Sequence, residues 1–174
     1  MNVLVINNVE TILGFDELIA VCDSLNDVSR HEHVFEELAK SDSLELKVSV
    51  ASRRRISKNT VNLLIQDLNL DVLRALSKNR YAMQHFDRKA IRALIDSQDE
   101  DIYISIAEGL KDYAQIFNVE CLCENLIQGG SAVKYILASN PETPVFFLTE
   151  LAQDPDVSVS ERAKRTLQND NDDE

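Results

Sequence analysis

One phrase recurs five times along the chain, and it leaves little choice of fold. The copies are VFEELAKSDSLELKVSVASR from Val34, NLLIQDLNLDVLRALSKN from Asn62, IRALIDSQDEDIYISIAEGL from Ile91, LCENLIQGGSAVKYILASNP from Leu122 and LTELAQDPDVSVSERAKRTL from Leu148. Each closes a first apolar segment on a pair: Leu38-Ala39, Leu64-Ile65, Leu94-Ile95, Leu126-Ile127, Leu151-Ala152. A short polar link follows, then a second segment with a small or apolar residue at Ala51, Leu76, Ala107, Ala138 or Ala163. The interval from pair to that residue is 12, 11, 12, 11 and 11 residues, whereas successive pairs lie 26, 30, 32 and 25 apart. Constant spacing inside a copy and variable spacing between copies is what helical hairpins joined by tolerant loops produce. One such hairpin cannot bury its apolar stripe alone; stacked neighbours share a core. The expected fold is all-α, a short α-solenoid of about five hairpin repeats.

Composition agrees. Only 4 glycines and 3 prolines interrupt 174 residues that are 44% hydrophobic, so helices are favoured over a strand-rich fold. Residues 1–33 are read as an N-terminal capping region, 34–167 as the repeat array and 168–174, QNDNDDE, as a disordered acidic tail. Within the cap, 13–24 reads as one amphipathic helix, and 3–6, VLVI, suits either a short strand or the start of that helix. Helix boundaries are expected at the capping boxes Ser29/Glu32 and Ser158/Glu161, at Thr143-Pro144 with threonine as cap and proline first in the helix, and at Asp99, Glu100 and Asp101, acids suited to a first turn. Gly129-Gly130 is expected to end a helix through a left-handed residue.

The last two copies, LASNPETPVFFLTELAQDPDVSVSERAKRTL at 137–167, carry Leu137-Ala138, Asn140-Pro141, Thr143-Pro144, Leu148, Leu151-Ala152, Asp154 and Asp156. This phrase resembles the short HEAT-like repeats of the leucine-rich-repeat-variant type, with the arginine that usually follows the Asp-x-Asp displaced to Arg162. The first three copies lack the Asn-Pro and Thr-Pro signposts. The resemblance implies a protein-binding scaffold without shared chemistry. One HEAT-like family acts as DNA glycosylases through aromatic and basic residues with a catalytic carboxylate in a concave groove; a chain with no tryptophan and a net charge of −12 is a poor match.

Charge is the sharpest functional signal. Residues 1–52 hold 3 basic and 10 acidic groups, 53–92 hold 10 and 3, and 93–174 hold 5 and 17. The basic stretch is therefore net +7 between flanks of −7 and −12. Arg53, Arg54, Arg55 and Lys58 follow the second helix of the first copy, Lys78 and Arg80 take the equivalent place in the second, and Arg88, Lys89 and Arg92 approach the third. Tyr81 lies among them. Equivalent loops share one edge of a solenoid, so these ten residues are expected to form a partner-binding ridge, its arginines suited to forked contacts with carboxylate or phosphate. The bland reading is that basic groups near helix C-termini complement the dipole.

No catalytic constellation accompanies the ridge. Phosphate-loop, nucleophile-elbow and H-E-x-x-H patterns are absent. Asp67, Asp71 and Asp87 have no nucleophile paired with them and read as surface. His31 and His33, two apart, cannot share a helix face, and Cys121 and Cys123 lack the partners a zinc site needs; neither metal nor cofactor is expected. Three cysteines argue against a disulfide framework and fit a reducing cytoplasm; no apolar run approaches a membrane span, and MNVLVINNVE does not read as a signal peptide. The expected function is a non-enzymatic protein-interaction scaffold or adaptor for an acidic protein partner. The competing readings are a nucleic-acid-binding module acting through 53–92 and an acidic inhibitor that mimics nucleic acid.

Overall fold

The computed structural model describes residues 2–6, 9–26, 28 and 31–172, with backbone alone for 2–12, 15 and 170–172. Ser29 and its expected capping box lie outside them, as do residues 173 and 174. The chain divides into two compact units, Met1–His85 and Phe86–Glu174. It is helical apart from its start, where β1 (Asn2–Ile6) pairs antiparallel with β2 (Val9–Leu13) in the register Asn2↔Leu13 to Ile6↔Val9. The all-α expectation holds for the body of the chain; 3–6, which suited either strand or helix, is strand, and a second strand precedes the capping helix.

In the first unit α1 (Phe15–Ser24) is followed by two helix pairs: α2 (Glu32–Ala39) with α3 (Leu44–Ala51), and α4 (Lys58–Asp67) with α5 (Leu70–Lys78). The one-turn α6 (Arg80–Met83) closes the unit. Second helices pack in the order α1, α3, α5, and first helices α2 against α4. In the second unit α7 (Arg88–Asp96) pairs with α8 (Glu100–Glu108), α10 (Val119–Leu126) with α11 (Ser131–Ser139) and α12 (Val145–Leu151) with α13 (Val157–Asp172), while α9 (Leu110–Ala114) bridges the first two. Here α8, α11 and α13 pack in sequence, and α7 packs against α10. The five pairs fall on the five sequence copies, and Ala51, Leu76, Ala107, Ala138 and Ala163 are all fully buried. A second helix must approach its neighbours closely at this point, which excludes a polar side chain. The closing apolar pairs are buried too, except that Leu38 and Ala152 are half-buried.

Polar bonds repeat with the same period. Asn79 Nδ2 donates to Ala51 O at 2.7 Å, Asn140 Nδ2 to Ala107 O at 2.9 Å and Thr166 Oγ1 to Ala138 O at 2.6 Å. Each residue stands two or three positions after its own copy's buried Leu76, Ala138 or Ala163, and each satisfies the matching carbonyl of the preceding pair. Lys47 Nζ meets Asp67 Oδ2 and Lys134 Nζ meets Asp154 Oδ2, both at 2.9 Å. Both lysines lie four residues before the small residue of one copy, and both aspartates lie two after the apolar pair of the next. Burial pushes the Asp154 carboxyl up, but the Asp156 backbone N–H and the Lys134 ammonium outweigh it and hold the group below its ordinary range.

Several caps differ from expectation. The cap of α13 is Asp156, whose Oδ1 accepts the Ser158 amide, rather than Ser158. Thr143 is buried and donates to Leu137 O, leaving Pro144 at the cap of α12. Among the described residues no glycine has positive φ. Gly129 is needed for space instead: a Cβ there would lie 3.0 Å from Leu126 O and from Val133 Cγ2. The two left-handed residues are Leu68 and Gln98. Helix α13 runs on to Asp172, so 168–172, expected as a tail, is helical. Asp99 caps α8 by accepting the Ile102 amide, with Glu100 and Asp101 in the first turn as expected.

Candidate functional site

The loop between α3 and α4 carries the basic run and is fixed at four points. Ser52 ends α3, its amide donating to Val48 O and Ser49 O. Ile56 is buried and anchors the middle. Ser57 caps α4, its hydroxyl accepting the Thr60 amide. Asn79, itself buried, reaches across and donates to Ala51 O and Arg53 O, both at 2.7 Å. The same asparagine caps α6: its Oδ1 accepts the amides of Tyr81 and Ala82. One carboxamide therefore holds the arginine loop and the turn bearing Tyr81 in a single arrangement.

Between these elements lie two adjoining grooves of the first unit. The larger, about 770 Å³, is lined by Arg54, Arg55, Ser57, Lys58, Tyr81 and His85 together with Glu32, Ile56 and Gln84. The smaller, about 430 Å³, is lined by Ser52, Arg54, Ala75, Lys78, Asn79, Arg80 and Tyr81. Arg54 and Tyr81 line both. The Arg54 guanidinium lies 5.9 Å from the Tyr81 ring centroid, within cation–π range. Tyr81 remains half exposed, as large aromatics at contact surfaces do. Five cations, Arg54, Arg55, Lys58, Lys78 and Arg80, thus surround one aromatic wall, with Glu32 the only carboxylate among the lining residues.

Of the ten residues expected on the ridge, six meet here. Arg53 does not. Its side chain is 15% exposed, stands 5.7 Å from the Phe35 centroid, bonds Cys22 O at 2.7 Å and Leu25 O at 3.4 Å, and pairs with Asp23 at 2.8 Å. It closes the C-terminus of α1, where a cation is favoured. Arg53→Ala is expected to destabilise the first unit by about 1.5–2 kcal/mol, from lost charged hydrogen bonds and packing. Equal urea midpoints for variant and parent would show that Arg53 is not structural. Arg88, Lys89 and Arg92 are exposed on α7 of the second unit and line neither groove. Arg88 and Lys89 occupy a helix first turn, so dipole complementation does not account for them.

The three aspartates and His31 have structural partners, and most of the aromatic residues outside the grooves are core. Asp67 pairs with Lys47, Asp71 with Arg74, and Asp87 caps α7. His31 Nδ1 donates to Asn26 O at 2.8 Å. Cys123 is buried, which pushes its thiol up to about 12. Phe147 is buried while Phe146 is 73% exposed. Tyr103 donates to Ile95 O from the core, and Phe86 packs on Tyr113 at 6.3 Å. Among the described residues no group of three His, Cys, Asp or Glu could hold a metal ion, and no helix is long and apolar enough to cross a membrane. Sequence reasoning did not single out Asn79, Ser57, Glu32 or Gln84 as site residues. Asn79 alone left a signal, since it follows Leu76 much as Asn140 follows Ala138. No family model, curated protein or solved structure matches the chain.

Proposed function

We propose that this chain is a non-enzymatic interaction module, a short α-solenoid of HEAT-like hairpins, whose first unit grips an acidic stretch of a protein partner. The observation that carries the binding reading is the five-cation rim around the Arg54–Tyr81 wall, held on a backbone pinned by Asn79, Ile56 and Ser57. The solenoid reading is supported by the recurrence of one side-chain-to-carbonyl bond and one Lys–Asp pair at matching places in successive helix pairs. An arginine stacked on a half-exposed tyrosine is the pairing that interface hot spots favour, and charge complementarity sets partner choice and encounter rate.

The test is affinity capture from native cells with the parent protein and with a triple variant, Arg55→Glu, Lys58→Glu and Lys78→Glu, each with and without nuclease. These three side chains lie outside the buried core, so the variant should remain folded, with melting as the control. A protein partner retained by the parent after nuclease and lost by the variant is the expected result. Partners that bind both proteins equally would remove the grooves from the interaction, and recovery that disappears with nuclease would transfer them to nucleic acid.

A further inference from the structure

We infer that the larger groove is a subsite for a phosphomonoester, so that the acidic partner segment is a phosphorylated one; this rests on reading the grooves as a partner site. Three cations of different form line this one concavity: the Arg54 and Arg55 guanidinia are planar forks of donors, and Lys58 is a compact ammonium. His85 lines the same groove.

The groove also contains the start of α4, a ten-residue helix. The Ser57 hydroxyl takes the Thr60 amide, and the first intrahelical bond is Val61 N–H to Ser57 O at 3.0 Å. The amides of Lys58 and Asn59 precede that ladder. Lys58 stands first in the helix with no acidic residue in the first turn, as is also the case in α7 and α11, and the carboxylate at this end of α4 is that of Glu36, whose Oε2 accepts the Ser57 hydroxyl at 3.4 Å. A cation at the positive end of a helix is unfavourable by itself. A bound dianion reverses that sign, since it is attracted at once by the amides, the ammonium and the guanidinia.

A phosphomonoester, with nearly two charges and three acceptor oxygens, exploits such a set more fully than a carboxylate with one charge and two oxygens. At about 770 Å³ the groove has room for the group and for part of the segment bearing it. Tyr81, half exposed on its wall, offers a face to a neighbouring side chain. A long polyanion fits less well. The first unit carries 10 basic and 12 acidic groups and the second 8 and 18, so extended nucleic acid meets net repulsion away from the groove.

The experiment is fluorescence anisotropy with three degenerate pools of short labelled peptides, identical but for a central phosphoserine, glutamate or serine, and with a labelled single-stranded oligonucleotide. The full chain and an Arg55→Gln, Lys58→Gln double variant are compared, with melting as the folding control. The phosphoserine pool should bind at least about tenfold more tightly than the glutamate pool. Inorganic phosphate should compete, and the variant should lose the preference without a fall in melting, since removing the Lys58 charge relieves its repulsion by the helix start. Equal binding of the phosphoserine and glutamate pools overturns the phosphate assignment and leaves the acidic-partner reading standing. Binding of no pool overturns both. An oligonucleotide that outcompetes the phosphoserine pool overturns the peptide assignment in favour of nucleic acid.

Discussion

Replacing Asn79 by alanine should lower the stability of the first unit by about 2–4 kcal/mol, and replacing it by aspartate should be at least as damaging. The side chain makes four hydrogen bonds from a buried position: two donated to Ala51 O and Arg53 O, two accepted from the Tyr81 and Ala82 amides. Alanine leaves two carbonyls and two helix-start amides without these partners. Aspartate keeps the cap but sets an anion against two carbonyl oxygens, and burial gives it little solvent to offset the repulsion. The contrast discriminates. A cap alone would tolerate aspartate as well as asparagine, because both are favoured cap residues. Urea unfolding of both variants is the measurement, and an aspartate variant as stable as the parent would show that the donated bonds carry no weight. The same change should weaken groove binding even at temperatures where the variant is folded, since Asn79 positions both the arginine loop and Tyr81.

Asn79 also shows where the sequence was readable and where it was not. Helix pairs and their buried residues follow from spacing, because a second helix can tolerate only a small or apolar group where it meets its neighbours; the positions of Ala51, Ala107 and Ala163 were legible for that reason. The Asn-Pro signpost, by contrast, was visible at Asn140 and hidden at Asn79, which has no proline after it. The physical requirement is the amide donor reaching the preceding pair's carbonyl, and Asn79 and Asn140 both meet it. Proline is incidental to that bond. At Thr166 a hydroxyl performs the task, and the residue type alone gave no signal.

The site was half legible for a different reason. Counting charges located the basic stretch, but charge in sequence does not give direction. Arg53, Arg54 and Arg55 are adjacent, so their side chains cannot all point one way. Arg53 is drawn to the C-terminal carbonyls of α1 and the Phe35 ring, and only its two neighbours reach the groove. A triple reversal of 53–55 would therefore confound binding with folding. The β-hairpin was left open because a four-residue apolar run suits both strand and helix; its partner Val9–Leu13, VETIL, lacks the strict alternation of a half-buried strand, and only its last residue was read with the capping helix.

Leu94→Ala should cost about 2–4 kcal/mol in the second unit. The residue is fully buried on α7, whose Ala90, Ile91, Leu94 and Ile95 form the inward stripe, and this helix packs on both α8 and α10. Truncation removes three carbons from water-free surroundings, and the gap has little means of closing, because its walls belong to helices whose spacing is also set by Asn140, Ala107 and the buried Tyr113. A site on a free surface would lose almost nothing. Stability in stacked helix pairs is a sum of local and nearest-neighbour contributions, so the loss should be local: amide hydrogen exchange should quicken in 88–126 while the protection of α3 to α5 changes little. Unchanged exchange and melting would show that α7 is not packed as described. Uniform loss of protection across both units would show that the chain unfolds as one cooperative block, and the additive treatment of its helix pairs would fail.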